Sequence, residues 1–453
     1  MKSSADISAL AGRKILFASM PAEGHVNPLT GLAKYLQAAG ADVRWYTGSS
    51  YQEKMDKLGI PLYAYRRAVD VNAANLEEVF PGREKIRSQV KKLVFDMIHF
   101  FIGQAPRFLE DLKEIRQEFP FELVIAESTF TGIPLIEKTM NLPVLGIGIV
   151  PLVETSKDLA PPGLGITPIP GIAGKIKHSI LRYVADKILF SKPNKLTHQI
   201  MENHGVEHGG SNIFDLMVKK ATIFLQSGTP GFEYKRSDLG KNIRYIGALL
   251  PYSNKKEFKP WHDARLTQYN RIVLVTQGTV EKDVEKLLVP TLEAFKNTDT
   301  LVICTTGGSQ TAELRQRFPQ NNLIIGDFIP FACVMPYANA YITNGGYGGV
   351  MLGIENKLPM VVAGVHEGKN EICARVGYFK LGINLKTEKP TAAQIKMAVN
   401  KLMASSLYRS NVEKLSKEFQ RYNPGELCAS YAAFLLEQPA NGKTKFLSKE
   451  AAA

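Results

Sequence analysis

Short, uninterrupted apolar runs alternate along this chain with longer stretches in which apolar residues recur every three or four positions. The runs Arg13–Ser19, Asp42–Thr47, Phe121–Ala126, Pro143–Ile149, Ala221–Gln226 and Arg244–Ala248 have the length and continuity of strands buried on both faces of a parallel sheet. After the first of them, Leu29, Leu32, Ala33 and Leu36 recur at helical spacing, and Ala39-Gly40 stops that helix before the next strand. Helical patterning continues from Leu76 to Phe119, with His99 counted as part of the amphipathic face of Val90–Phe101. Pro151 to Gly174 is dense in proline and glycine, which predicts a long ordered loop over a pocket. Lys175 to Lys219 is mixed helix, and its His178, His198, His204 and His208 have no metal-ligand spacing and read as surface residues.

The alternation restarts at Arg271, after the polar, proline-flanked segment 251–270. Strands are predicted at Ile272–Thr276, Leu301–Thr305, Leu323–Ile325, Ala340–Thr343 and Val361–Ala363, with an amphipathic helix over Val284–Phe295. The implied architecture is α/β: two Rossmann-like α/β/α domains, residues 1–250 and 271–422, with parallel sheets facing across a cleft and 251–270 as linker. A C-terminal helix over 423–438 can pack back on the first domain, and 439–453 is expected to be a disordered tail.

Composition narrows this little. At 453 residues and 45% hydrophobic, the chain is too long for one ordinary domain. Cys304, Cys333, Cys373 and Cys428 lack paired or metal-binding spacing and read as small core residues of a reducing compartment. The start of the chain has no basic region followed by an apolar run, and the most apolar stretch, Leu142–Val153, is broken by prolines and glycines. No signal peptide or integral membrane segment is expected, and a cytoplasmic location is. The formal charge of +13 is spread along the chain, so most of it reads as solvated surface and no nucleic-acid partner is expected.

Candidate chemistry gathers at strand ends. Tyr341-Ile-Thr-Asn-Gly-Gly-Tyr-Gly-Gly-Val runs from a buried strand through a glycine-rich loop, Asn344 to Gly349, into an apolar helix from Val350 to Glu355. Such a loop lets backbone N–H groups approach an anion, and the helix N-terminus adds partial positive charge, so a diphosphate fits; a tight turn with no ligand is the alternative. Met20-Pro-Ala-Glu-Gly-His-Val-Asn-Pro28 follows the first strand, with Asn27 predicted as N-cap and Pro28 at the first helical position. His25 then stands at the carboxyl edge of the first sheet, where ligands of open α/β sheets bind, and Glu127 reaches the same edge from a later strand. Histidine titrates near neutral pH and suits a general base. No acidic pair has metal-binding spacing, so no catalytic metal or cofactor is expected.

Three stretches together, namely Gly24-His25 with Asn27-Pro28, Thr276-Gln-Gly-Thr279 and Tyr341–Val362, resemble the family 1 (UDP-glycosyltransferase-like) glycosyltransferases of GT-B fold, of the bacterial small-molecule type. The likeness covers nearly the whole chain and is strongest over Lys14–Thr47 and Arg271–Leu385. It implies an inverting hexosyltransferase moving a sugar from UDP-glucose, or a UDP- or TDP-linked relative, to a hydroxyl of an apolar phenolic, terpenoid or similar acceptor. His25 is then the catalytic base and Glu127 its support, one methylene longer than the family's usual Asp. Gly278, Thr279, Phe328, Ile329, Asn344, Gly345, Gly346, Gly348 and Gly349 become the donor-nucleotide site, with Phe328 stacking on the base or else belonging to the core. Where the family has His, Glu, Pro and Asp-Gln in order, this chain has Asn344, Leu352, Pro359 and Gly368-Lys369. Asn344 keeps an N–H donor for the phosphate, whereas Leu352 cannot bind ribose hydroxyls. Glu367, Gly368 and Lys369 are the candidates for holding the sugar. The changed residues keep two alternatives open, a GT-B nucleotide-sugar epimerase and a non-catalytic nucleotide- or lipid-binding protein. An oxidoreductase is disfavoured, because no Gly-x-Gly-x-x-Gly follows the first strand. A monomer or weak dimer is expected.

Overall fold

A computed structural model describes residues 7–71, 75–253, 260–278, 281–366 and 368–438. Among them are two parallel sheets. The first contains β1 (Lys14–Ala18), β2 (Asp42–Thr47), β3 (Leu62–Ala64), β4 (Leu123–Glu127), β5 (Val144–Gly148), β6 (Ile223–Gln226) and β7 (Ile243–Tyr245) in the order β3-β2-β1-β4-β5-β6-β7. The second contains β8 (Arg271–Thr276), β9 (Thr300–Thr305), β10 (Leu323–Gly326), β11 (Ala340–Thr343), β12 (Met360–Val362) and β13 (Gly382–Asn384) in the order β10-β9-β8-β11-β12-β13. Each sheet is covered by helices on both faces, so its central strands are buried and read in the sequence as continuous apolar runs, whereas the edge strands β3, β7 and β13 are only partly buried. This is the doubly wound arrangement, twice.

Strand order fixes where ligands can sit. In each sheet the chain winds outward one way from the first strand and then crosses back to its other side, leaving a crevice between β1 and β4 and between β8 and β11. Ala18 pairs with Ala126 across the first crevice and Thr276 with Thr343 across the second, so the loops that follow these strands emerge side by side. The C-terminal helix Pro424–Glu437, capped by Asn423, returns to the first domain, where Cys428, Ala429, Ala432 and Leu435 join the core beneath β1 and β4. Its small residues permit close approach: Gly425 lies against the Tyr35 ring, where a Cβ would collide.

Several local expectations are corrected. The helix after β1 runs Glu23–Ala38 and is capped at Ala22, so Asn27 is not its N-cap and Pro28 lies inside it. Pro28 forfeits a bond to the Gly24 carbonyl, while the Asn27 amide is drawn to the Glu23 carboxylate at 2.7 Å and to Lys54 Nζ at 2.8 Å. The predicted helix Val284–Phe295 begins only at Leu288, which places Pro290 in the first turn, where its missing N–H is not needed. His178 is buried rather than on the surface, and His99 is exposed, lying in the π-helical stretch Met97–Phe101 with its ring 4.4 Å from that of Phe95. Thr279, Val280, Glu367 and the tail 439–453 lie outside the described residues, as does 254–259 of the linker.

A buried ion cluster joins the two domains. Arg375, on the helix Lys369–Tyr378, is 2% exposed and donates to Glu233 Oε2 at 2.8 Å and to Glu371 Oε1 at 2.6 Å. Its guanidinium also lies 4.2 Å from the Tyr234 ring centre. Burial alone would push its pKa down, but the two carboxylates outweigh that and hold it above its ordinary value. Glu233 accepts in addition from Leu152 N at 2.9 Å, and Glu371 from the backbone of Gly163 and Gly165 at 3.2 and 2.8 Å. Removing the cation would leave two buried carboxylates uncompensated. Arg375→Met is therefore expected to destabilise the protein by about 3–5 kcal/mol. Chemical denaturation of wild type and variant measures this, and an unchanged midpoint would contradict it.

Candidate active site

The crevice of the first sheet holds His25 and Glu127. His25 is the third residue of the helix that follows β1, and Glu127 is the last residue of β4. Neighbouring strands in register thus deliver both side chains to one edge. His25 Nδ1 is 3.2 Å from Glu127 Oε1 and 2.9 Å from Thr129 Oγ1. The Thr129 hydroxyl has one proton and donates it to Glu127, 2.7 Å from Oε1, so it is left to accept from the histidine. Nδ1 is therefore the protonated nitrogen and Nε2 the free base.

Glu127 is fully buried and held on several sides. Met20 N donates to Oε1 at 3.2 Å, and Thr129 N to Oε2 at 2.6 Å. Burial would push its carboxyl up, but the attraction of His25 in its protonated form, the His25 hydrogen bond and the donors of Thr129 outweigh it and hold the group below its ordinary value. Thr129 was not singled out in the sequence. The available signal was a threonine two residues past an acid at a strand end, a spacing that lets its N–H and O–H turn back on the carboxylate. Beside this group lies a narrow apolar crevice lined by Met20, Val69, Val71, Phe80 and Phe100. Phe80 and Phe100 come from the helical segment between β3 and β4, with ring centres 5.1 Å apart.

The crevice of the second sheet holds the glycine loops. Gly278 follows β8 at φ +80°, and Asn344 follows β11. The Asn344 amide donates to the Gln277 carbonyl, tying the two loops together, and its Oδ1 accepts from Gly346 N at 3.4 Å. Gly345 has φ +81°, and a Cβ there would collide with Cys373 Sγ, so glycine is required twice over. The helix starts at Tyr347, capped by Gly346, so Gly348 and Gly349 belong to its first turn and not to the loop as expected. First-turn N–H groups have no acceptor within their own helix and are available to an anion. A loop from Gly364 onward packs on the Asn344 backbone, and Glu388 holds it through Val365 N at 2.6 Å and His366 N at 2.9 Å. Glu388 is a second residue the sequence reading missed.

The remaining candidates fall into place less evenly. Phe328 is 72% exposed, which removes it from the core, and its ring faces Gly308. Ile329 is buried with its side chain against Gly326, so only its backbone can face a ligand. Gly368 caps the helix that starts at Lys369, which leads to Glu371 and the ion cluster. The two crevices face each other: Tyr347 Oη, from the second sheet's glycine helix, donates to Ser227 O at the end of β6 at 2.8 Å. Among the described residues no group of three or more His, Cys, Asp or Glu is placed to hold a metal ion, and no helix is long and apolar enough to cross a membrane.

Glu127 sets an expectation for pH. Its folded pKa lies below the unfolded value of about 4.3, so the carboxylate's contribution is fully present above that value and is lost as pH falls through the folded pKa. The stability gap between wild type and Glu127→Gln should therefore be widest near neutrality and shrink below about pH 4. Thermal melts of both proteins across that range test it; a gap independent of pH would show that the carboxylate's charge is not what is held.

Comparison with known proteins agrees with this geometry. Residues 290–433 match the C-terminal domain model described as erythromycin biosynthesis protein CIII-like. The chain is 29% identical over 408 residues to 4'-demethylrebeccamycin synthase of Lentzea aerocolonigenes, covering 90% of this chain and 96% of that protein. It is also 29% identical over 430 residues to UDP-glycosyltransferase 2 of Phaeomoniella chlamydospora, covering 91% and 94%. Among solved structures, the calicheamicin glycosyltransferase CalG4 superposes with a TM-score of 0.72 at 16% identity over 94% of this chain and 98% of that one. Two doubly wound domains meeting at a cleft give this chain the GT-B fold, and matched sequence along nearly the whole length supports a family 1 glycosyltransferase.

Proposed function

We propose that the protein transfers a hexose from a UDP-sugar, with inversion at the anomeric carbon, to a hydroxyl of an apolar small molecule. The observation that carries this reading is His25, fixed through Nδ1 by Glu127 and Thr129 at the carboxyl edge of the first sheet, on the side that meets the glycine helix of the second. The acceptor hydroxyl gives its proton to His25 Nε2 as its oxygen attacks the anomeric carbon. Glu127 then balances the imidazolium charge. On the opposite face of the sugar the bond to the diphosphate breaks, and the nucleoside diphosphate leaves. The first-turn N–H groups of Tyr347, Gly348 and Gly349, with Gly278, receive its charge. These donors supply the stabilisation in a mechanism without a metal or cofactor.

The relatives' names support the donor class. One is called UDP-glucosyltransferase 1, from Beauveria bassiana, and 4'-demethylrebeccamycin synthase is named for a small natural product, so UDP-glucose and a phenolic or similar apolar acceptor are the first substrates to try. Phe328, exposed beside Gly308, supplies the ring that stacks on the base in this reading.

His25→Ala is expected to abolish glycoside formation while leaving UDP binding nearly intact, because base and donor loops belong to different domains. Chromatographic detection of product, with calorimetric titration of UDP, measures both; near wild-type turnover would remove His25 from the mechanism. Glu127→Gln should lower turnover by a factor on the order of a hundred to ten thousand. Asn344 holds the donor loops together through a bond to a neutral carbonyl, so Asn344→Ala should weaken UDP binding by roughly 0.5–1.5 kcal/mol, measured in chelator. Equal affinity of variant and wild type would leave Asn344 a turn residue, and binding that vanished with chelator would refute the metal-free mechanism.

A further inference from the structure

The helix Gly171–Val184 is amphipathic in the wrong sense for a core element. Its inward side carries Gly174 and His178, both buried, and it is fastened by polar contacts: His178 Nδ1 lies 3.0 Å from the Asp158 carbonyl, and Arg182 Nη1 donates to the Leu159 carbonyl at 2.5 Å. Its outward side carries Ile172, Ile176 and Ile180, which are 78%, 57% and 58% exposed, with Tyr183 64% exposed on the same face. Residues four apart share one face of a helix, so the three isoleucines and the tyrosine form a continuous apolar stripe pointing away from the protein. Ile188 and Leu189 extend it into the following turn and are exposed as well.

The charges around the stripe identify what covers it. Between Gly171 and Lys195 the chain has six lysines and arginines and one acid, Asp186, which is itself paired with Lys187 at 2.9 Å. At 100° per residue Lys175 and Lys177 flank the isoleucines on opposite sides, and both are exposed. An apolar stripe between two cationic margins matches the boundary of a bilayer, where acyl chains lie beneath anionic headgroups. A second copy of this chain would bring the same lysines against one another. We propose that this helix is a docking surface for the face of a negatively charged lipid bilayer, with Ile172, Ile176, Ile180 and Tyr183 entering the headgroup region and Lys175 and Lys177 meeting lipid phosphates. The helix adjoins the loop 151–170, whose Gly163 and Gly165 reach Glu371 across the cleft, so a docked molecule holds the cleft's mouth close to the lipid. That last consequence rests on the transfer reading of the cleft; docking does not.

The test is co-sedimentation of the full chain with vesicles of phosphatidylcholine alone and of an equal mixture of phosphatidylcholine and phosphatidylglycerol. Wild type is expected to sediment with the anionic vesicles, to remain in solution with the neutral ones and to be partly released by added salt. Ile176→Glu with Ile180→Glu should lower the apparent partition coefficient by about tenfold or more, and Lys175→Glu with Lys177→Glu should remove most of the salt-sensitive part. Both pairs are solvent-exposed, and thermal melts matching wild type establish that the fold is intact. Absence of wild-type binding to the anionic vesicles overturns the proposal, as does binding unaffected by the isoleucine changes. Sedimentation equilibrium serves as the competing measurement: a dimer that the isoleucine changes dissociate, without vesicle binding, assigns the stripe to a second copy of this chain instead.

Discussion

One guanidinium sets the relation between the two halves of this protein. A glycosyl-transfer cleft needs two sheets held with their carboxyl edges opposed, yet each sheet is built around apolar layers of its own. Arg375 resolves this by reaching from the second domain to Glu233 of the first while Glu371, one turn earlier on its helix, gathers the backbone of the loop at Gly163 and Gly165. Buried charges are tolerable only when each is paired and oriented, and here three charges and several N–H donors share one desolvated site. Such a cluster contributes less to stability than to geometry, because it is satisfied in one relative placement of the domains. The cluster also begins three residues after Gly368, so the arm that crosses from the first domain and the start of the candidate sugar-binding helix are fastened at the same place.

Around His25 and Glu127 the same logic works on a smaller scale. A carboxylate without access to water would ordinarily take up a proton, and a neutral Glu127 would neither hold the His25 tautomer nor balance its charge. The backbone of Met20 and Thr129, the Thr129 hydroxyl and His25 itself supply the donors that keep it ionised. The extra methylene of glutamate is accommodated because the threonine hydroxyl fills the angle between the carboxylate and the imidazole, accepting from one and donating to the other.

Much of this was legible in the sequence because the physics involved is local. Continuous apolar runs can only be strands buried on both faces, which gave the α/β class and the restart at Arg271; a histidine after the first run and an acid at the end of a later one must then share an edge. Cap positions were read less well. Asn27-Pro28 has the form of a helix start, but Glu23 draws the Asn27 side chain into a cluster with Lys54, and the helix begins earlier. Glu388 and Arg375 had no readable signature at all. Each acts through a partner distant in the chain, such as Glu388 on Val365 or Arg375 on Glu233, and no spacing rule encodes such a pair.

The residues at which this chain departs from the family pattern have a common structural explanation. Leu352, where the family has a ribose-binding glutamate, is half-buried against the core formed by Tyr347, Val350 and Met351, so the helix after the glycine loop presents no carboxylate at that position. Asn344, where the family has histidine, is short enough for its amide to reach the neighbouring loop's Gln277 carbonyl instead of projecting past it. Gly364 then packs directly on the Asn344 backbone, where any side chain would collide, and Glu388 fixes the two residues that follow. Three loops are thus cross-linked by short side chains and backbone contacts. Loops fixed this way hold their backbone N–H groups in place, an arrangement suited to the diphosphate common to all nucleotide sugars.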